Sequence, residues 1–310
     1  MSHATYSAGS HGKQRKMMTI NRASSGAFEI EPTKVKSPVR EKDEAADRSS
    51  SVWATLRREA QAVLENDPRL ARAMKLNVLD HETFAHGLAH RLSETFANNA
   101  VDGDLLTSLS LDVFDASPEI LRHAILDLQA VYDRDPSTSE LLVPFLYFKG
   151  FLALQGHRIA HWLWHNDKRH MARHIQSRSC DFLSIDIHPA ARMGSGIMLD
   201  HGNGLVIGET AVVEDDVSIL QDVTLGGTGK DTGDRHPKIR RGALIGAGAK
   251  ILGNIEIGVG AKVGAGSVVV SAVAAHSSVA GVPARIVGKP KSDLPGISME
   301  IPDADSDYVI

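Results

Sequence analysis

The sequence predicts an α+β protein: an N-terminal α-helical domain, then a left-handed parallel β-helix of hexapeptide coils with a protruding loop and a flexible C-terminal tail. Aliphatic side chains recur every six residues in two runs: Ile187, Met193, Leu199, Leu205, Ala211, Val217 and Val223, then Ile239, Ile245, Ile251, Ile257, Val263 and Val269. Neither helix nor strand has that period, but a chain wound in short flat segments with one inward side chain each does. Of 27 glycines, 19 fall between residues 187 and 289, where the corners of a prism need little bulk or a positive φ. No aromatic residue occurs between Phe182 and Tyr308, which fits an interior too thin for rings and coils stacked about 4.8 Å apart. The two runs are out of phase by four residues, which places an insertion between Val223 and Ile239.

Along the chain, residues 1–48 are rich in Ser, Lys, Glu and Asp without periodicity and read as a disordered extension. No acid precedes Glu29, which is compatible with a transit peptide; a vector-derived leader or an upstream start is the simpler reading. Residues 49–180 form the helical domain. Ser117-Pro118-Glu119 reads as a helix start, with an N-cap hydroxyl, a proline in the first turn and an acid at the positive end. Ile120, Ala124, Leu128 and Val131 follow at helical spacing, and residues 141–174 carry a second helical pattern that need not be one helix. His157, His161 and His165 share a face of it, either as part of a metal site or as a packing contact. No further ligand stands at zinc spacing on that face, so packing is preferred. The β-helix spans 181–289. The acidic stretch 290–310 reads as a mobile tail with an apolar tip, Tyr308-Val309-Ile310, suited to docking.

Composition narrows the function. A formal net charge of −4 predicts no attraction to nucleic acid or to an anionic membrane. No apolar stretch is long enough for a bilayer. One cysteine, Cys180, excludes an internal disulfide framework and fits a reducing cytoplasm.

A filled prism has no internal cavity, so catalytic groups must project from its corners and loops. A cleft then needs a second surface, most simply another copy, which predicts a cyclic trimer. Asp186 and His201 lie fifteen residues apart, so they can approach one corner on successive coils. A carboxylate there would fix the imidazole tautomer and leave the other nitrogen as a general base. A purely structural corner histidine satisfies the same spacing. The loop sequence Gly226-Gly227-Thr228-Gly229-Lys230 fails the phosphate-loop pattern, because Thr224 replaces the first glycine and Asp231 the hydroxyl residue. Arg235 in that loop suits a carboxylate-bearing substrate; an incidental surface charge is the alternative.

These residues also carry a family resemblance. Asp186-Ile187-His188-Pro189-Ala190-Ala191, Gly196-Ile197-Met198-Leu199-Asp200-His201, Val206-Ile207-Gly208-Glu209-Thr210-Ala211-Val212 and Asp234-Arg235-His236-Pro237-Lys238-Ile239 resemble serine O-acetyltransferases. Ala280-Gly281-Val282-Pro283-Ala284-Arg285 is similar to the ending of hexapeptide acyltransferases generally. The resemblance, over about residues 50–290, implies acetyl transfer from acetyl-CoA to the hydroxyl of L-serine, giving O-acetylserine for cysteine synthesis without a covalent intermediate. It implies His201 as base with Asp186 as its partner, and Asp135 and Asp200 on the serine ammonium. Arg235 would hold the carboxylate with help from His236. Gly227, Ala247 and Ala265 would lie along CoA, and no metal or permanent cofactor is implied. Glu209 receives no role. The family further implies inhibition by L-cysteine, capture of Ile310 by O-acetylserine sulfhydrylase, and trimers that can pair into hexamers.

Three rivals remain at this level. An acetyltransferase for another amine or alcohol is disfavoured by charges matching both ends of a zwitterion. A γ-type carbonic anhydrase would need a close histidine pair, absent among His188, His201, His236 and His276. A scaffold whose tail regulates a partner is disfavoured by the intact catalytic-type residues.

Overall fold

The computed structural model describes residues 38–229 and 232–299, and Ile310 lies outside them. Helix α1, Pro38–Asn66, starts ten residues before the expected edge of the disordered extension. That stretch is built of helix formers (Arg40, Glu41, Lys42, Glu44, Ala45, Ala46) without an apolar face, so it continues a helix without announcing one. A short irregular helical segment follows, running through a 3₁₀ turn Pro68–Leu70, α2 Ala71–Met74 and a π turn Lys75–Leu79. The remaining helices are α3 Phe84–Phe96, α4 Gly103–Ala116, α5 Glu119–Arg134, α6 Leu142–Tyr147, α7 Lys149–His165 and α8 Arg169–Leu183.

Two local expectations change. Ser117 joins α4 to α5 with its backbone instead of capping with its hydroxyl: its N–H donates to Val113 O and its C=O accepts from Ile120 N–H. Only Ser117 and Pro118 separate the two helices, and Pro118 takes the N-cap position, where its side chain offers no cap. The 141–174 pattern divides at Phe148, whose ψ of 111° breaks the helix, and at Asn166–Lys168. Within the bundle, Trp53, Phe84, Phe145 and Phe151 form a chain of ring contacts 6.0–6.4 Å apart. No helix among the described residues is long and apolar enough to cross a membrane.

The prism has three faces of stacked strands. Face A holds β1 Ile185–Ile187, β4 Leu205–Ile207, β7 Thr224–Gly226, β10 Lys250–Leu252 and β13 Val268–Val269. Face B holds β2 Arg192–Met193, β5 Val212–Val213, β8 Lys238–Ile239 and β11 Glu256–Ile257. Face C holds β3 Met198–Leu199, β6 Ser218–Ile219, β9 Leu244–Ile245, β12 Lys262–Val263, β14 Ser278–Gly281 and an antiparallel return strand β15 Ala284–Gly288.

The register corrects the single four-residue phase break. Ile239 pairs with Ile257 and Ile207 with Leu225, eighteen residues on, but Ile187 pairs with Ile207, twenty on. Leu225 pairs with Ile251, twenty-six on. The corner at residues 200–204 is therefore enlarged by two residues, and the loop after β7 by eight. The slip was hidden because each coil segment buries two positions two residues apart. Ile207, Val213, Ile219 and Leu225 form one buried six-residue series around the coil, and Leu205, Ala211, Val217 and Val223 form a second. A shift of two exchanges one aliphatic series for the other.

Helical domain and prism are joined by a buried ion pair. Asp127 of α5, fully buried, accepts from Arg158 Nη2 at 2.6 Å, Arg158 Nε and Gln155 Nε2 at 3.0 Å, and the backbone N–H of Ile197 at 3.0 Å. Arg158 Nη2 also donates to Gly194 O at 2.6 Å, so the pair ties α5 and α7 to the corner between faces B and C.

The expected mobile tail is docked at its start. Helix α9, Pro295–Ser298, lies against that same corner: Gly296 N–H donates to Gly242 O at 2.8 Å and Gly296 O accepts from Ser218 Oγ at 2.6 Å. Ser218 in turn accepts from Arg134 Nη1 at 3.1 Å. A Cβ at position 296 would come within 2.5 Å of Ala243 O, so only glycine approaches this closely. The apolar Leu294-Pro295-Gly296 segment thus holds a strap down inside an otherwise acidic sequence.

Asp127→Ala strands Arg158 as a buried unpaired charge. It should lower the unfolding free energy by about 3–5 kcal/mol, read from urea unfolding of the purified protein.

Candidate active site

Two edges of face A carry the polar groups. The edge between faces C and A begins at the enlarged corner. His201 occupies it with φ +54°, a left-handed conformation that histidine and asparagine tolerate better than branched residues. Its imidazole is 70% exposed, with Nε2 3.8 Å from Asp200 Oδ1. Burial pushes the Asp200 carboxyl up from its ordinary range; His201 opposes this, and the nearby Asp135 adds to it. Asp135 ends α5 as its C-cap, so the helix delivers its carboxylate to this corner.

Further along the same edge, backbone hydrogen bonds form a ladder. Asp222 N–H donates to Asn203 O, Gly248 N–H to Gln221 O at 2.9 Å and Gly266 N–H to Ala247 O at 2.7 Å. Ala247 and Ala265 follow Ile245 and Val263, which pair directly, and so stack on successive coils of this edge.

The edge between faces A and B holds the rest. Gly227 opens the long loop, and Arg235 and His236 close it. Arg235 Nη2 donates to Glu209 Oε2 at 2.7 Å, and Nη1 to Gly233 O at 3.0 Å. That bond pulls the Glu209 carboxyl below its ordinary range. Thr210 Oγ1 accepts from the backbone N–H groups of Arg235 and His236 at 3.0 and 3.1 Å and lies 2.9 Å from His236 Nδ1. Thr210 N–H donates to that nitrogen at 3.2 Å. The proton of His236 is therefore on Nε2. Burial, then Arg235 and Lys238, hold its imidazole below the ordinary range. Lys238 Nζ clamps the loop end through Asp234 Oδ1, His236 O and Thr210 O at 2.6–2.9 Å.

The predicted residues thus fall into two groups. Asp135, Asp200, His201, Ala247 and Ala265 share the C–A edge, while Gly227, Arg235 and His236 share the A–B edge. Asp186 stands on β1 between them, stacked on Val206, and its Oδ1 accepts from Gln176 Nε2 at 2.7 Å. Among the described residues it makes no hydrogen bond with His201, so the expected pair is not closed within one chain. The strand position beside Val206 sets Asp186 past the His201 corner, where α8 supplies the nearer donor. Glu209, Thr210 and Gln176 were not foreseen in these roles. Glu209 and Thr210 lie in a quoted motif, but their partners are twenty-five and twenty-six residues on, across the loop. The face His157, His161 and His165 packs against the first A–B corner, with His161 Nδ1 2.8 Å from Pro189 O.

The chain is similar to known serine acetyltransferases in sequence and in fold. The family profile "Serine acetyltransferase, N-terminal" matches residues 52–156. The serine acetyltransferase of Salmonella typhimurium is 51% identical over 249 residues, covering 80% of this chain and 91% of its own. A crystal structure of the Brucella abortus strain S19 serine acetyltransferase in complex with coenzyme A matches with a TM-score of 0.77 at 50% identity, covering 79% of this chain and 98% of that one. A serine acetyltransferase structure in complex with cysteine matches with a TM-score of 0.80 at 44% identity, covering 84% of this chain and 100% of that one.

The left-handed backbone at His201 predicts a sharp contrast between substitutions. His201→Asn should unfold within about 0.5 kcal/mol of wild type, while His201→Val should lose about 1–3 kcal/mol, measured by urea denaturation.

Proposed function

The chain belongs to the serine acetyltransferase family, and we propose that its two face-A edges, contributed by neighbouring copies, divide the work of the reaction. It transfers the acetyl group of acetyl-CoA to the hydroxyl of L-serine, giving O-acetylserine and CoA. A serine hydroxyl is barely ionised at neutral pH and needs a base as it attacks. His201 takes the hydroxyl proton while the oxygen forms its bond to the thioester carbonyl carbon. Collapse of the adduct breaks the C–S bond, and the imidazolium returns the proton to the CoA sulfur. No acyl-enzyme is required, and Cys180 lies outside the prism on α8.

Asp135 and Asp200 offer negative charge to the serine ammonium beside His201. Arg235 and His236 Nε2–H offer donors to its carboxylate, with Glu209 and Thr210 positioning them. Asp186 orients His201 once the assembled site closes. CoA runs down the C–A edge past Ala247 and Ala265, with Gly227 of the facing edge opposite. The observation that carries this reading is the separation of the two charge sets onto different edges of one face. A small zwitterion can touch both only if the C–A edge of one copy meets the A–B edge of the next. A head-to-tail contact of that kind closes as a ring, which supports a trimer, and the helical domain is the surface left to pair two trimers. The cysteine-bound relative supports L-cysteine as an inhibitor at the serine site. Docking of Ile310 into O-acetylserine sulfhydrylase rests on the apolar tip of the tail alone. A cytoplasmic setting is supported by the single exposed thiol of Cys180.

CoA release should be found with serine and not with sugars or other amino acids. His201→Asn should lose at least about 100-fold in kcat. Arg235→Ala should raise the serine KM far more than the acetyl-CoA KM. When the two variants are unfolded and refolded together and assayed at serine far below the raised KM, sites with two intact edges reappear at random in about a quarter of positions, and activity returns to that extent. No recovery on mixing would mean that each chain builds its whole site alone.

A further inference from the structure

The scheme above gives no task to His188, yet its surroundings are built. It occupies the first coil of the A–B edge, half-buried, and its Nδ1 accepts from Ala190 N–H at 3.0 Å. That bond uses the lone pair of Nδ1 and leaves the proton on Nε2, which has no hydrogen-bond partner among the described residues. The ring is gripped from the helical side. Trp164 of α7 meets it edge-on, with centroids 5.1 Å apart and planes at 73°. The guanidinium groups of Arg169 and Arg173 stack on Trp164 in turn, 5.1 and 4.9 Å from its ring centre. A side chain held this firmly, with a free donor, is pre-organised to meet something.

The coil register shows what stands beside it. His188 N–H donates to Ile207 O, so His188 lies one coil from Gly208 in the same corner column. A Cβ at Gly208 would come within 2.0 Å of His236 Cδ2 and 2.1 Å of His236 Nε2, so the ring of His236 rests directly on that glycine. Coils stack about 4.8 Å apart, which makes the two imidazoles neighbours. Both carry the proton on Nε2, and each has its Nδ1 occupied by a backbone donor. Burial, then Arg173, hold the His188 imidazole below its ordinary range, against the pull of Glu209 and Asp186. It is a neutral donor near pH 7.

We propose that His188 is a further substrate-binding residue, whose Nε2–H joins His236 Nε2–H and Arg235 in holding the carboxylate of the amino-acid acceptor. The assignment rests on reading the A–B edge as the carboxylate subsite. It explains why a tryptophan and two arginines brace this corner. It also extends selectivity, since two fixed N–H donors one coil apart suit the two oxygens of a carboxylate better than a single hydroxyl.

Two substitutions separate this role from a structural one. In His188→Asn, Oδ1 can still accept from Ala190 N–H, as asparagine does in its own turns, but no donor reaches the Nε2 position. In His188→Gln, the amide N–H reaches toward that position while the turn bond is lost. His188→Asn should keep the wild-type melting temperature and raise the serine KM about 10- to 100-fold, with the acetyl-CoA KM within about twofold. His188→Gln should melt lower yet keep a serine KM closer to wild type. A serine KM unchanged in His188→Asn overturns the assignment, as does a KM that follows melting temperature across both variants. Arg235→Ala in the same assay distinguishes the two failures. If it alone raises the serine KM, the carboxylate subsite stands without His188; if it is silent too, both readings fall.

Discussion

The interior of the prism admits only aliphatic side chains, stacked in two columns on each segment of coil, and everything functional follows from that limit. Ile187, Ile207, Leu225 and Ile251 fill one column on face A, and Ile185, Leu205, Val223 and Ala249 fill the other. Each removes its apolar surface from water against neighbours above and below, contributing about 25 cal/mol for every Å² buried. A polar group inside would lose its hydration with no partner to replace it. The reactive residues are therefore pushed to the edges, where the backbone turns and side chains leave the stack. The same limit governs insertions. Extra residues can enter only at a corner, and the two that the prism accepts between coils are those that carry His201 and Arg235.

The helical domain acts through that frame. Asp127 and Arg158 are buried together at the junction, an arrangement that costs desolvation and is held by hydrogen bonds to both carboxylate oxygens. Its geometric result is clear in the chain: α5 is fixed against the B–C corner and ends at Asp135, beside Asp200. One residue before that end, Arg134 donates to Ser218, which itself donates to Gly296 O of the docked strap. The other long helix, α7, braces the opposite edge with His161 on Pro189 and Trp164 on His188. Both edges of face A are thus set by helices that themselves meet at one ion pair.

The architecture was legible in the sequence because the six-residue period survives in every coil. Its detail was less so. Two equivalent aliphatic columns make a two-residue slip invisible, so two separate insertions read as one, and His201 passed for a residue of a regular coil. The start of α1 was missed because charged helix formers without an apolar face look like disorder. The strap at Leu294–Ser298 was missed because its anchors are a leucine and a glycine inside an acidic tail. The chemically distinctive residues His201, Asp200, Arg235 and His236 stand out in the sequence, and the fold brings each to an edge of face A. Their supports do not stand out, since Thr210 and Glu209 meet the loop across twenty-five or more residues. The Asp186–His201 spacing likewise permitted a pair that one chain alone does not close.

The two histidines of the proposed site differ in what surrounds them, and the difference bears on which one serves as base in the proposed reaction. His236 accepts on Nδ1 from the Thr210 N–H, which occupies the lone pair of that nitrogen. Its Nε2 already carries a proton, so it can only donate, and the adjacent Arg235 opposes any second proton. His201 is free of such bonds. Its nearest charge is Asp200, 3.8 Å from Nε2. One imidazole is therefore held with its Nε2–H as a donor, and in the proposed reaction the other is the one open to accept a proton and return it. The difference arises from the corners: a threonine beside the loop saturates one ring, and a left-handed turn at the enlarged corner holds the other out from the stack.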